Sequence, residues 1–295
     1  MDSDSVHVPV MPREVLHYLQ LAEGMTVIDG TVGAGGHSRK IADKIGTDGR
    51  LLAFDRDPMM LNFARRTLQD FNVDFHHGSY VQAAEVLEDR QLEAVDRLVL
   101  DLGLSSDQLA DRDRGFGFDA GGPLDMRFNP EQGRSAADLL LEDSAEELVR
   151  IFRDFGEEPF AEQIAQEVIS RRGRKPLRTT GDLEDCVRTA VPGKAQQGSR
   201  NPATRIFQAL RIAVNQELEH VQRMMTDILP RVLKPEGIAV ILTFHSLEDR
   251  IVKQTFKGQK QWTALTPKPI EATPAEIRLN PRSRSAKLRA ARRNR

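Results

Sequence analysis

Residues 27–38, VIDGTVGAGGHS, place an acid, four glycines, a histidine and a serine between an apolar run and a helical pattern. Gly30, Gly33, Gly35 and Gly36 let the backbone approach a ligand without side chains in the way. Asp55 closes the next apolar run, GRLLAFD. A carboxylate there can accept hydrogen bonds from both hydroxyls of a ribose. Two cofactor classes fit. A dinucleotide would seat its pyrophosphate at the helix start, whereas S-adenosylmethionine brings a cationic sulfonium and an amino-acid end. Asp29 stands directly before the first glycine. A carboxylate is unfavourable beside pyrophosphate and favourable beside a cation. The spacing also departs from G-x-G-x-x-G, so the balance favours the methyl donor. A nicotinamide-dependent oxidoreductase and a glycine turn that binds nothing stay as alternatives. His37 can orient the amino-acid end or simply cap the helix.

A second polar cluster, DLGLSSDQL at residues 101–109, ends the apolar run RLVL. In an open α/β sheet such strand ends line the ligand crevice. Methylating an exocyclic base amine requires acceptors that grip its N–H groups and turn the delocalised lone pair toward the methyl. Backbone carbonyls and an Asp or Ser oxygen can do this, although the acid/Asn-Pro-Pro-aromatic motif common in amino-methyltransferases is absent. His245 ends a later strand pattern, GIAVILTFHS. It can face the acceptor, or SLED forms a capping box with Ser246 as cap and His245 as spacer. The glycine-rich segment RGFGFDAGGPLDMRF, residues 114–128, carries Phe116, Phe118 and Phe128. An aromatic there can stack on an unstacked base or pack within its own unit. Asp125 and Arg127 can pair. The seven histidines are scattered without ligand spacing, so no metal is expected.

These groups need a scaffold. Apolar runs end at Gly30, Asp55, Gly78, Gly103 and His245, and helical patterns over 38–45, 58–70 and 81–89 alternate with the first four. Such alternation predicts an open parallel α/β sheet. No strand pattern interrupts residues 135–192, where SAAD, SAEE, Pro159 and TTGD mark helix starts. The expected division is a discontinuous sheet domain, 1–110 with 201–295, and a helical insertion, 111–200. A single long helix is expected from the cap Asn201 to about Ile228.

The 295 residues carry a net charge of −2, but seven basic residues and no acid lie between Arg282 and Arg295. That tail reads as a solvated segment or a polyanion contact. No apolar run approaches a membrane span and the N-terminus lacks a signal pattern. Cys186 is the only cysteine, which excludes internal disulfides and fits a reducing cytoplasm.

The chain closely resembles the RsmH (MraW) family, the bacterial 16S rRNA (cytosine-N4)-methyltransferases. The matching segments include DGTVGAGGHS, FDRDP, DLGLSSDQL, GPLDMR, FQALRIAVNQEL, FHSLEDRIVK and NPRSRSAKLR. They follow one another in order over nearly the whole chain. The resemblance implies an α/β class I (Rossmann-like) methyltransferase sheet with an inserted all-helical domain for substrate recognition. It implies S-adenosylmethionine as donor and one cytidine of the decoding region, in the small ribosomal subunit, as acceptor. Carried over by position, cofactor contacts fall on Gly35, Gly36, His37, Asp55, Tyr80, Asp101 and Gln108. Asp55 would hold the ribose, and Tyr80 would lie against the adenine or be a buried core aromatic. Asp101, Ser105 and His245 are the candidates for work on the acceptor. Arg171, Arg172, Arg174, Lys175, Arg178 and the tail from Arg282 are the candidates for phosphate contact. A cytoplasmic enzyme is implied, and monomer or homodimer stays open. Asp107, Gly117, Phe128 and Asn201 stand where the family usually has proline, serine, methionine and histidine. None of these removes a carried-over cofactor contact.

Overall fold

A computed structural model describes residues 8–117, 121–193 and 201–295. The chain divides into two compact units, Met1–Ser105 with Leu218–Arg295, and Ser106–Glu217.

The first unit is built on one sheet. Its strands are β1 (Thr26–Asp29), β2 (Arg50–Asp55), β3 (Val73–His77), β4 (Val95–Asp101), β5 (Leu233–Thr243), β6 (Trp262–Ala264), β7 (Ile270–Glu271) and β8 (Lys287–Arg293). The order is β3-β2-β1-β4-β5-β8-β6, with β7 also on β8. β1 to β5 pair in parallel, and the pairings of β8 are antiparallel. Parallel strands are covered on both faces, so their residues alternate between two cores. Ile28, Leu52, Phe54, Leu98, Leu100 and Ile241 pack with Val86, Met225 and Val252 on one side. Val27, Leu51, Ala53, Val99 and Val240 pack with Val15, Ile41 and Leu61 on the other. Strand order reverses between β1 and β4, the point where open α/β sheets bind ligands.

The five strands expected from sequence form. The basic C-terminal stretch is not a solvated segment, because it supplies β8, an interior strand between β5 and β6. Small and apolar residues at alternating and adjacent places, Leu288, Ala290 and Ala291, are buried there. Arg289 is 5% exposed, and its Nε and Nη2 donate to both carboxylate oxygens of Asp249 at 2.7 and 3.0 Å.

The second unit is helical. Its longer helices are Ala136–Glu142, Ala145–Asp154, Ala161–Arg171, Thr180–Ala190 and Thr204–Asn215. Ser135, Ser144 and Thr179 cap three of them, accepting from the amides of Asp138, Glu147 and Asp182. The expected single helix from Asn201 to Ile228 is broken. Asn201 does accept from Ala203 N at 3.0 Å. At the other end Gln216 takes left-handed angles, φ 52° and ψ 37°. A new helix runs over Glu217–Arg223 and passes into a π-helical turn at Met224–Ile228. The units therefore divide at 105/106 and 217/218 rather than at 110/111 and 200/201. The reason is close packing of Thr204–Asn215 inside the helical unit. A Cβ on Gly156 would stand 2.7 Å from Arg205 O. Among the described residues no helix is long and apolar enough to cross a membrane.

The Arg289–Asp249 pair makes a measurable claim. Losing one partner leaves the other charge buried. Asp249→Ala is expected to lower the unfolding free energy by ~3–5 kcal/mol in urea titration, and Asp249→Leu with Arg289→Met should recover most of it.

Candidate active site

At the carboxyl edge of β1 the chain folds into a tight turn. Gly30 N donates to Val99 O at 3.0 Å and Val32 N to Phe54 O at 2.9 Å, tying the turn to β4 and β2. A Cβ on Gly30 would lie 2.3 Å from Leu100 Cδ2 and 2.8 Å from Tyr80 Cβ. Gly33 and Gly35 have φ of 53° and 90°, angles that side chains resist. Asp29 is buried beneath the turn. Its Oδ1 accepts from Thr31 N at 3.1 Å and its Oδ2 from Ser38 Oγ at 2.7 Å. Burial holds its carboxyl above the usual range, opposed by the Ser38 hydrogen bond. The carboxylate thus shapes the turn, a duty the charge argument from sequence had not given it.

Asp55, at the end of β2, accepts from Gly33 N through Oδ2 and from Asp57 N through Oδ1, both at 2.9 Å. Desolvation pushes its carboxyl up to about 7, against the pull of those two hydrogen bonds. His37 is the second residue of the helix Gly36–Ile45, whose N-cap is Gly35 with no side-chain cap, so the simple capping reading fails. The ring is buried with Nε2 3.5 Å from Asp101 Oδ2. That nitrogen makes no hydrogen bond. Asp101 N donates to Thr31 Oγ1 at 2.6 Å, joining the end of β4 to the same turn. Ser105 is buried, and its hydroxyl donates to Met60 Sδ at 3.2 Å. Tyr80 follows β3 within the core cluster that contains Ile28 and Leu100. It is therefore a core aromatic that also abuts Gly30. Four strand ends of one sheet thus bring Gly35, Gly36, His37, Asp55, Tyr80 and Asp101 to one edge.

At the end of β5, His245 itself is the N-cap of the helix Ser246–Gly258. Its Nδ1 accepts from Glu248 N at 3.4 Å, and Glu248 Oε2 accepts from Phe244 N at 2.9 Å. Ser246 is not the cap. The box starts one residue earlier than SLED suggests.

Within the helical unit, Gln108 is buried in the short helix Ser106–Ala110. The described residues that follow are tied down by hydrogen bonds. Arg127 Nη2 pairs with Asp125 Oδ2 at 2.6 Å, as the spacing suggested. Arg114 Nη2 donates to the carbonyls of Arg127 and Phe128 at 3.0 and 2.9 Å. Asn215 Oδ1 accepts from Phe128 N at 2.7 Å, and its Nδ2 donates to Met126 O. Phe116 and Phe128 pack with ring centroids 5.8 Å apart. Phe118 lies outside the described residues. Arg114 and Asn215 were missed from sequence, because pairing with distant carbonyls leaves no local spacing signal.

A family model described as the MraW methylase family matches residues 4–294. The chain belongs to the MraW methylase family. Curated relatives named "Ribosomal RNA small subunit methyltransferase H" align along its whole length. The protein from Trichlorobacter lovleyi is 44% identical, covering 97% of this chain and 97% of its own. That from Syntrophotalea carbinolica is 43% identical over 97% and 98%. That from Rhodopirellula baltica is 43% identical over 99% and 92%.

As an MraW methylase, the chain has an edge suited to S-adenosylmethionine. Asp55 is a half-buried acceptor, and His37 carries a buried nitrogen without a hydrogen bond beside glycines that admit close approach. Several basic residues proposed for phosphate contact are already engaged. Arg171 pairs with Glu167 and Asp185 at 2.6 and 2.7 Å. Arg172 donates to the carbonyls of Leu140 and Asp143. Arg289 is buried, and Arg293 donates to Leu233 O. Arg174, Lys175 and Arg178 are exposed.

The high Asp55 pKa fixes a sign. A folded-state value of about 7 lies above the unfolded value, so its contribution is complete at low pH and lost as pH rises through 7. Asp55→Asn should therefore gain stability relative to the parent between pH 5 and pH 8. Urea midpoints at the two pH values check this, and an unchanged gap would contradict it.

Proposed function

We propose that this chain transfers a methyl group from S-adenosylmethionine to the exocyclic N4 amine of one cytidine in the decoding region of 16S rRNA, in the small ribosomal subunit. The observation that carries the reading is the convergence of Asp55, His37 and Asp101 on the glycine turn. It is joined by full-length likeness to relatives named as small-subunit rRNA methyltransferases. When bound, S-adenosylmethionine supplies an electrophilic methyl on a sulfonium. Gly35, Gly36 and His37 receive its amino-acid end, Asp55 its ribose and Tyr80 its adenine side, with Asp101 and Gln108 completing the set. The acceptor work falls to the end of β4. The Ser105 hydroxyl, which donates to Met60 Sδ at 3.2 Å, is the side-chain oxygen assigned to accept an amine N–H. The Leu102 and Gly103 carbonyls are further acceptors. Gripping both N–H bonds concentrates electron density on nitrogen and turns its lone pair toward the methyl. His245 serves this site by fixing the turn after β5. The methylated amine is acidic enough to release its proton to water, so no general base is required. The helical unit recognises the RNA, and exposed Arg174, Lys175 and Arg178 supply phosphate contacts. Such an enzyme works in the cytoplasm.

The deciding experiment is incubation with unmethylated 30S subunits and labelled donor. The expected product is N4-methylcytidine at a single decoding-region position, identified by mass spectrometry. Absence of label with folded protein would overturn the reading, and calorimetry that detected NAD but not S-adenosylmethionine would replace it with the oxidoreductase.

Two variants separate the duties at β4. Asp101→Asn should weaken donor binding, while Ser105→Ala should lower turnover with donor affinity unchanged. Because Asp55 must be ionised to accept two hydroxyls, donor affinity should rise on the order of tenfold from pH 6 to pH 8. Asp55→Asn should flatten that slope.

A further inference from the structure

The turn after β3 is held by a side chain that no sequence motif announces. Ser79 Oγ and His220 Nδ1 share a hydrogen bond of 3.0 Å across 141 residues of sequence. His220 belongs to the helix Glu217–Arg223. The same Ser79 opens the turn. Its hydroxyl accepts from Val81 N at 3.4 Å, and its amide donates to Gln82 Oε1 at 3.0 Å. Tyr80 is the next residue, and its ring meets the His220 ring edge-on, with centroids 6.3 Å apart at 82°. The turn adjoins the donor edge at two places. Gly78 N donates to Asp55 O at 2.9 Å. Tyr80 Cβ is one of the atoms that bar any side chain at Gly30. His220 therefore touches both residues of the segment that flanks Asp55 on one side and the first glycine on the other. Burial, aided by Arg56 and Arg223, lowers its pKa to about 4, so the ring is neutral at working pH.

We infer that His220 is a positioning residue of the donor site: its imidazole sets the Ser79 hydroxyl and the Tyr80 ring that flank the adenosine end of S-adenosylmethionine. The inference rests on the methyl-donor reading above. A packing role alone would depend on ring size and not on polarity, which makes the two separable.

Full-length protein carrying His220→Phe, His220→Asn or Ser79→Ala would be titrated by calorimetry with S-adenosylhomocysteine and with 5′-methylthioadenosine. Phenylalanine keeps the edge contact and loses the hydrogen bond. His220→Phe is expected to raise Kd for both ligands about tenfold, with kcat at saturating donor held within about twofold. Asparagine offers a donor and an acceptor at about the reach of Nδ1. His220→Asn should stay within about threefold of the parent. Ser79→Ala removes the same bond from its other end together with the acceptor for Val81 N, so its loss should be at least that of His220→Phe. The inference is overturned if His220→Phe binds like the parent or if His220→Asn is as weak as His220→Phe. Loss confined to S-adenosylhomocysteine would place the effect at the amino-acid end and overturn it too. A parent that binds neither ligand would remove the donor reading itself, whereas a parent that binds both while His220→Phe is unchanged removes only the role of His220.

Discussion

Two carboxylates at the ends of adjacent parallel strands, one buried and one half-buried, set the terms for everything around them. Asp29 and Asp55 cannot be left in a low-dielectric edge without donors. The turn after β1 supplies two of those donors, the amides of Thr31 and Gly33; the following helix adds the hydroxyl of Ser38, and the segment after β2 the amide of Asp57. To present them, the backbone must bend through angles that only glycine takes readily and pass against Leu100 and Tyr80 with no Cβ between. The glycines are thus required by the acids beneath and by the neighbours that crowd the turn. Burial still leaves Asp55 short of full stabilisation, which is why its carboxyl stays near 7.

The same constraint recurs at the other strand ends. β4 reaches the turn through the Asp101 amide and Thr31, and β3 reaches it through Gly78 and Asp55. β5 ends in a histidine that spends its Nδ1 on the next helix. Each connection uses a backbone group or a polar side chain, so hydrogen bonds tie the strand ends to one another and to the elements that follow them.

Much of this was legible in the chain. β1 to β5 announce themselves as apolar runs, and Ser135, Ser144 and Thr179 are local caps whose partners sit three residues away. The glycine turn, Asp55 and the polar end of β4 could be read as a cofactor edge by position alone. What stayed hidden depends on distant partners. β8 looks like a basic tail because Arg289 is neutralised by Asp249, forty residues away. The break at Gln216 has no glycine or proline to mark it. His245 caps in place of Ser246, because its imidazole nitrogen takes the helix amide that a serine hydroxyl would usually accept. Arg171 and Arg172 look like phosphate ligands until their carboxylate and carbonyl partners come into view.

The helical unit occupies the crossover between β4 and β5, so two neighbouring strands are separated by about 130 residues of chain. A parallel crossover needs only about a dozen residues. Left flexible, the extra length would cost roughly 2 kcal/mol in loop-closure entropy, since each doubling adds about 0.6. That is small against a domain's stability of ~5–15 kcal/mol. The kinetic consequence is larger. Helices form through local contacts and order quickly, while β4–β5 pairing is distant and slow. The insertion therefore has the chance to fold first, turning a long floppy loop into a compact spacer before β4 and β5 must pair.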